Sequence, residues 1–174
     1  MKPHLSYSPL LLIYGEGGHR REMQLLLQNL AQAYATQPNN GLLQVISIGV
    51  GRFELPAHCQ LIVHFEASDV RDKVNRWRSV LRFIPANARL FLQTLQAYQL
   101  GPLAGVISTG PGIAVLPTLI LRCLGIKSTF VETYCRFDTR SLTGRVMSKL
   151  AHRFLVQNKS QLALYSKAEY CGRL

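Results

Sequence analysis

The sequence has 174 residues, of which 48% are hydrophobic and 17% charged, and its 20 Lys and Arg against nine Asp and Glu give a formal net charge of +11. These values exclude wholesale disorder and fit one domain, residues 1–174, with a sizeable core. Eight of the basic residues but only two of the acidic ones follow Cys135, so the charge predicts an anionic partner: nucleic acid, a membrane surface or a phosphorylated substrate.

The first predicted strand, Leu10 to Tyr14, runs directly into a glycine-rich turn and an amphipathic helix. The turn contains Gly15, Gly17 and Gly18, and the apolar residues after it recur at helical spacing: Met23, Leu26, Leu27 and Leu30. Glycine lets the backbone approach a ligand closely, and the free N–H groups of a helix's first turn attract anions. The pattern predicts a phosphate or diphosphate site, with a plain tight turn as the alternative. Its glycine spacing fits neither the dinucleotide fingerprint nor the P-loop.

His19 follows this turn at the start of the helix. A neutral imidazole beside a bound substrate can accept a proton near pH 7, so we interpret His19 as a candidate general base. A histidine that only caps or packs the helix is the alternative.

Short apolar strands then alternate with helices along the chain. Five further segments have strand patterns: residues 43–48, 61–65, 104–108, 128–131 and 154–157. This alternation predicts an α/β fold, a Rossmann-like parallel sheet with helices on both faces. The last ten residues, 165–174, are too short to begin another domain.

Residues 69–99 have a helical pattern that we expect to break at Pro85. The first half mixes basic and aromatic residues, which suits a helix lying in a membrane interface, and the residues expected to contact lipid are Trp77, Arg78, Leu81, Arg82 and Phe83. An ordinary amphipathic helix packed on the sheet explains the pattern equally well. No segment reaches the roughly 18 to 20 apolar residues that span a bilayer, so any membrane contact is expected to be peripheral.

The strand at 104–108 repeats the opening arrangement, because it runs through Ser108, Thr109, Gly110 and Gly112 into another predicted helix at 113–124. Parallel strands end at the same edge of a sheet, so the two small-residue loops are expected to converge on one crevice.

Charged residues follow the strand at 128–131. Glu132 is expected to accept a hydrogen bond from a ligand hydroxyl and Arg136 to bind phosphate, unless the two pair with each other. A later helix is expected to place its basic side chains on one face: Arg145, Lys149 and Arg153.

Together these motifs resemble the acceptor-side subunit of two-component glycosyltransferases. That family includes the membrane-anchoring subunit of the dolichol-diphosphate N-acetylglucosamine transferase and bacterial PssD-type polysaccharide proteins. The resemblance runs in order through six motifs: Gly17-Gly18-His19 with Glu22-Met23, Ser108 to Gly112, Val131-Glu132 with Arg136, Ser141 to Arg145, Phe154 to Gln157, and Ala168 to Gly172.

The resemblance implies that this chain corresponds to the N-terminal half of a GT-B glycosyltransferase. It would bind a lipid-diphosphate-linked sugar at the cytoplasmic face of the membrane, without a cofactor, while a separate subunit binds the UDP-sugar. The loops 17–19 and 108–112 would then border the acceptor diphosphate, and the end of the chain would dock the partner. A non-catalytic scaffold that recruits the partner to the membrane is one alternative. A basic nucleic-acid-binding module is another, although no nucleic-acid motif supports it.

Overall fold

The computed structural model describes residues 8–37, 41–67 and 76–174, without the side chains of residues 76–83. Strands and helices alternate through these ranges: β1 (Leu10–Tyr14), α1 (Gly18–Ala35), β2 (Leu43–Gly49), β3 (Cys59–Glu66), α2 (Arg76–Gln99), β4 (Gly105–Thr109), α3 (Val115–Cys123), β5 (Ser128–Val131), α4 (Leu142–Leu150), β6 (Arg153–Val156) and β7 (Ala168–Tyr170). Short 3-10 helices lie before α3 and before β7, at Gly112–Ala114 and Lys159–Ala163.

The strands form one sheet in the order β3-β2-β1-β4-β5-β6-β7, and every neighbouring pair is parallel. The order reverses at β1, which pairs with β2 on one side and with β4 on the other. In such sheets ligands bind outside the carboxyl ends of the strands at the reversal point. The predicted Rossmann-like α/β fold is therefore confirmed, and its crevice lies beyond β1 and β4.

The side chains of β1 alternate between two apolar layers, as expected for a strand buried on both faces. Leu12 and Tyr14 lie in one buried cluster with Met23 and Leu27 of α1. Leu11 and Ile13 belong to the other cluster, whose helical members come from α2, α3 and α4: Leu90, Ala97, Leu121 and Met147. The helices thus cover both faces of the sheet and bury β1 between them.

The predicted break at Pro85 is wrong, because α2 continues through this residue to Gln99. A helical proline removes one backbone hydrogen bond and costs about 3 kcal/mol, which burial farther along the helix offsets. Leu90 and Ala97 are buried in the core, and Gln93 Nε2 donates to the Glu66 carbonyl at 2.9 Å. Residues 69–75 lie outside the described residues. No helix within the described ranges is apolar over a stretch long enough to cross a membrane.

The last part of the chain differs from the sequence prediction. Residues 168–170 form the seventh strand, β7, which pairs with β6 at the edge of the sheet. Arg153 is not on the basic helix, because α4 ends at Leu150 and Arg153 begins β6, where its guanidinium contacts the Glu169 carboxylate of β7. Three-residue strands are too short to produce a detectable hydrophobic period.

Candidate functional site

The two glycine-rich loops meet beyond the carboxyl ends of β1 and β4. The strands are in register up to Tyr14 and Thr109, so both loops leave the sheet at the same level. The Thr109 hydroxyl then donates to the backbone carbonyl of His19 at 2.8 Å, which ties the end of β4 to the first turn of α1. The expected convergence of the loops is therefore present.

The first loop leaves its glycines open to a ligand. Gly17 has φ of 62° and stands immediately before α1, where a left-handed conformation favours glycine. A β-carbon on Gly17 or Gly18 would meet no atom within 4 Å, and both residues are exposed. Gly15, by contrast, is buried against Pro111 of the second loop. The exposed backbone at Gly17 and Gly18 is thus the accessible part of this loop.

His19 lies between the two loops. A β-carbon on Gly110 would overlap its imidazole ring, and one on Gly15 would lie 3.4 Å from the ring's Cδ2 atom. The His19 side chain is 32% exposed, whereas its Nδ1 atom is buried and lies 3.6 Å from the carboxylate atom Oε2 of Glu22. The ring therefore turns Nδ1 toward the protein and leaves Nε2 to face the crevice.

Glu22 is a buried acid directly behind this histidine, one helical turn along α1, and it is 1% exposed. Its Oε1 atom accepts hydrogen bonds from the Thr133 hydroxyl at 2.9 Å and the Tyr134 amide at 3.0 Å. Sequence reasoning placed Glu22 within a family motif but gave it no role. The i, i+3 spacing from His19 on a helix was the signal that could have identified it.

The second loop forms the floor of the crevice, which corrects part of the expected binding set. Ser108 and Thr109 are 1% and 0% exposed, and the Thr109 hydroxyl is already bonded to His19. Gly110 is buried beneath the His19 ring, so Gly112 is the exposed residue among the four expected to bind the acceptor. Ser108 and Thr109 are the last residues of β4, and both are buried.

Glu132 is also not at the ligand surface, contrary to expectation. It is fully buried, and its Oε2 atom accepts hydrogen bonds from the Ser141 hydroxyl at 2.8 Å and the Tyr165 hydroxyl at 3.0 Å. Gly144 makes room for this carboxylate at the start of α4, where the helix dipole favours a negative charge. Burial, followed by the Glu132 charge, raises the pKa of Tyr165 to about 12. Glu132 therefore anchors α4 rather than contacting a ligand hydroxyl.

Arg136 remains accessible in the loop after β5. It is exposed, and its guanidinium donates to the Thr139 hydroxyl at 3.1 Å rather than to the buried Glu132. The Asn158 side chain fixes this loop by donating to the carbonyls of Tyr134 and Arg136 at 2.8 and 2.7 Å. Arg136 thus has a defined position on the β5 side of the site.

The remaining predicted contacts lie elsewhere. The expected lipid-contacting side chains fall outside the described residues, although their backbone from Trp77 to Phe83 belongs to α2. Arg145 and Lys149 of α4 are exposed and one turn apart, as expected. Within residues 8–37, 41–67 and 76–174, no group of three His, Cys, Asp or Glu residues is arranged to hold a metal ion.

Comparisons with solved structures place the chain among known folds. It superposes on MurG from Acinetobacter baumannii with a TM-score of 0.57 at 14% identity, covering 95% of this chain and 45% of that one. The UDP-GlcNAc 2-epimerase from Methanocaldococcus jannaschii gives a TM-score of 0.55 at 10% identity, covering 95% of this chain and 45% of that one. The chain therefore spans less than half of each of these proteins, and the likeness concerns the fold.

Sequence comparisons identify relatives along the chain. It is 28% identical over 182 aligned residues to the human protein named UDP-N-acetylglucosamine transferase subunit ALG14, covering 95% of this chain and 82% of that protein. It is 31% identical over 103 residues to the Candida albicans protein of the same name, covering 56% of this chain and 47% of that protein. The family model described as "Oligosaccharide biosynthesis protein Alg14 like" matches residues 54–174. Because this match includes well over half of the sequence, the chain belongs to the Alg14-like family of oligosaccharide biosynthesis proteins.

Proposed function

We propose that this chain is the acceptor-binding subunit of an inverting glycosyltransferase that takes its UDP-sugar from a second subunit. The observation that supports this most directly is the position of His19 between two glycine-rich loops at the reversal point of the sheet. The curated relatives are named as subunits of a UDP-N-acetylglucosamine transferase, which makes UDP-N-acetylglucosamine the first donor to test.

The acceptor in this proposal is a sugar linked to a lipid through a diphosphate. The exposed amides of Gly17 and Gly18 lie at the N-terminal end of the 18-residue helix α1, where the helix dipole favours anions. Arg20 lies in the first turn of this helix, with its guanidinium beside Gly51 at the end of β2 and in no ion pair with any described residue. Gly112 and Arg136 border the other side. These groups together would hold the diphosphate beside His19.

His19 acts in this proposal as the general base. The acceptor hydroxyl oxygen attacks the anomeric carbon of the donor sugar from the face opposite UDP. The new carbon–oxygen bond forms as the bond between that carbon and the UDP oxygen breaks, so UDP leaves as an anion and the configuration inverts. The hydroxyl proton passes to His19 Nε2. Such proton transfer contributes typically about 10²- to 10⁴-fold to a rate.

Membrane contact is proposed for the outer face of α2. Residues 73–131 contain no Asp or Glu, so no acidic side chain in this stretch would repel an anionic bilayer. Within the described side chains of α2, Ile84 is 76% exposed and Leu92 58%, and Arg89 is exposed beside them. Apolar side chains interleaved with basic ones suit a helix that lies in the headgroup region.

The donor subunit is proposed to dock beside β7. The loop after β5 and the 3-10 helix Lys159–Ala163 are joined by a hydrogen bond from the Ser160 hydroxyl to the Phe137 carbonyl at 2.9 Å. Large apolar side chains that are exposed here include Phe137, Leu162 and Tyr170. This surface lies at the same edge of the sheet as the last residues of the chain, which the sequence resemblance assigns to partner docking.

A calorimetric titration of the purified chain with UDP and UDP-N-acetylglucosamine tests whether the donor site lies on the second subunit rather than on this chain. We expect no binding by the folded chain, and sugar transfer only after the partner subunit and a lipid-diphosphate acceptor are added. Micromolar binding by this chain alone would overturn the proposal, since the donor site would then lie here. Full transfer by the partner alone to a soluble acceptor would instead favour the recruitment scaffold.

A further inference from the structure

The two oxygens of the Glu22 carboxylate have different surroundings. Oε1 accepts three hydrogen bonds, from the Thr133 hydroxyl at 2.9 Å, the Tyr134 amide at 3.0 Å and Gln157 Nε2 at 3.4 Å. Oε2 is buried, accepts no hydrogen bond from any described residue, and lies 3.6 Å from His19 Nδ1. The side of the carboxylate that faces the histidine is thus the side without a protein donor.

A comparison with Glu132 shows that this asymmetry is not a general consequence of burial. Glu132 is equally buried, but its Oε1 accepts from the Thr133 amide at 3.1 Å and its Oε2 from the Ser141 and Tyr165 hydroxyls. Both of its oxygens are therefore satisfied, as expected for an acid with a purely structural role. Glu22 retains one buried oxygen without a hydrogen-bond donor among the described residues, and His19 Nδ1 lies 3.6 Å from it.

We propose that Glu22 is a positioning residue that fixes the tautomer and orientation of His19. This inference rests on the proposed function for its catalytic consequence. Glu22 Oε2 accepts the Nδ1–H of neutral His19, which leaves the lone pair of Nε2 facing the acceptor hydroxyl. After proton transfer, the same carboxylate stabilises the imidazolium that has formed. The present separation of 3.6 Å is longer than a hydrogen bond, and such contacts often tighten when substrate binds.

Glu22 can orient the ring because it is itself held from two other strands. Thr133 follows β5, and Gln157 follows β6. The Gln157 side chain is fixed in turn, since its Nε2 also donates to the Glu132 carbonyl at 3.1 Å and its Oε1 accepts from the Leu174 amide at 3.2 Å. The carboxylate therefore cannot rotate away from His19 without breaking its hydrogen bonds to Thr133, Tyr134 and Gln157.

The direct test is Glu22→Gln, which keeps the size of the side chain. Because the donors around Oε1 favour the amide oxygen there, the amide NH2 group would face Nδ1 and donate to it. In the chain labelled with ¹⁵N-histidine, the ¹⁵N chemical shifts of the imidazole show which ring nitrogen carries the proton. The His19 signals are identified as those absent from the spectrum of His19→Asn. We expect neutral wild-type His19 to carry its proton on Nδ1, and Glu22→Gln to move that proton to Nε2. With the partner subunit, we expect kcat to fall by at least about 100-fold and the acceptor KM to change by less than about threefold.

The chain offers a matched control in Glu66→Gln. Glu66 ends β3, where its carboxylate contacts His64 Nε2 at 3.0 Å and accepts from the Gly51 amide at 2.8 Å, so this variant alters another histidine–carboxylate pair on a different strand. It is expected to change the His64 signals while leaving the His19 tautomer unchanged.

A second variant covers the case in which Glu22→Gln does not fold. Thr133→Val removes one donor to Oε1 and keeps the Glu22 charge, so we expect a kcat loss of several-fold with the His19 tautomer retained. An unchanged tautomer or full activity in Glu22→Gln would overturn the positioning role. If Glu22→Gln does not fold, full activity in Thr133→Val would overturn it. The tautomer is measured on the isolated chain, so it tests Glu22 even if His19 proves not to be the base.

Discussion

The imidazole of His19 lies directly against Gly110, close enough that a β-carbon on the glycine would overlap the ring. Gly110 also has φ of 72°, a conformation that side chains other than glycine rarely adopt. The end of β4 therefore forms the surface on which the candidate base rests. Any side chain at position 110 must displace the ring from the crevice.

This contact predicts that Gly110→Ala lowers turnover of the assembled enzyme by at least about tenfold, since small displacements of reacting groups are costly. Steady-state assays with the partner subunit measure the effect. Gly125→Ala is the matched control, because Gly125 has a similar φ of 78° but no atom within 4 Å of its added β-carbon. Both variants carry the same backbone penalty, so equal activities would mean that the His19 contact is unimportant.

His19→Ala removes the proposed base without disturbing the core, because the side chain is partly exposed. We expect transfer to fall by about 10²- to 10⁴-fold, with the unfolding transition and acceptor binding little changed. The control is His58→Ala, which removes an exposed histidine before β3. Turnover near the wild-type rate in His19→Ala would exclude this residue from the reaction.

The convergence of the two loops could be predicted because it depends on local patterns. Each loop follows an apolar strand and precedes a helix, and a parallel sheet necessarily brings such loops to one edge. The position of Glu132 could not be predicted in this way. Its burial depends on Tyr165, on Ser141 and on the absence of a side chain at Gly144, and these residues meet only in the folded chain.

The role of Glu22 also depends on residues that are distant in the sequence. Its spacing from His19 is a local signal, but its donors come from Thr133, Tyr134 and Gln157, more than 100 residues away. Strand β7 was missed for a different reason. It has three residues and is defined by its pairing with β6, which no local period encodes.

The outer face of α2 is expected to bind anionic membranes. Replacing Ile84 and Leu92 with Ser should weaken binding of the chain to vesicles containing phosphatidylglycerol by about tenfold or more, because each buried aliphatic side chain contributes about 1.5–3 kcal/mol. Co-sedimentation with vesicles measures this. Leu42→Ser, at an exposed leucine just before β2, is the control.

The same assay tests Trp77 and Phe83, whose side chains lie outside the described residues. Their replacement by Ser should weaken binding further, and added salt should weaken binding by every variant that retains the basic residues. Unchanged binding after these substitutions would assign that part of α2 to the protein core.

Gly144→Ala tests the structural role of Glu132. Alanine is about 1 kcal/mol better than glycine in a helix, but here the new β-carbon would overlap the Glu132 carboxylate and the Tyr165 hydroxyl. Overpacking a filled interior costs about 1–3 kcal/mol, so we expect net destabilisation in urea unfolding. Gly18→Ala, also in a helix but with open space around it, should be neutral or slightly stabilising. A stabilised Gly144→Ala would mean that Glu132 can leave its site at little cost.

The buried Tyr165–Glu132 contact predicts a loss of stability at high pH. Burial, then the Glu132 charge, raises the pKa of Tyr165 to about 12, whereas tyrosine in the unfolded chain has a pKa of about 10. Between these values the unfolded chain releases the tyrosine proton and the folded chain retains it. The free energy of unfolding therefore falls as the pH rises from about 10 to 12, and this contribution is fully present below pH 10.

Urea unfolding of the wild-type chain and of Tyr165→Phe at several pH values from 9 to 12 measures this contribution. Tyr165→Phe should be less stable than wild type at pH 9, because it loses the hydrogen bond to Glu132, and the difference should shrink toward pH 12. The pKa values of Tyr14 and Tyr134 are also raised, by burial of Tyr14 and by the contact of Tyr134 with Cys135. The contributions of Tyr14 and Tyr134 to stability are the same in wild type and in Tyr165→Phe, so they cancel when the two are compared. A difference that stays constant with pH would mean that the phenol is not held neutral by its burial beside Glu132.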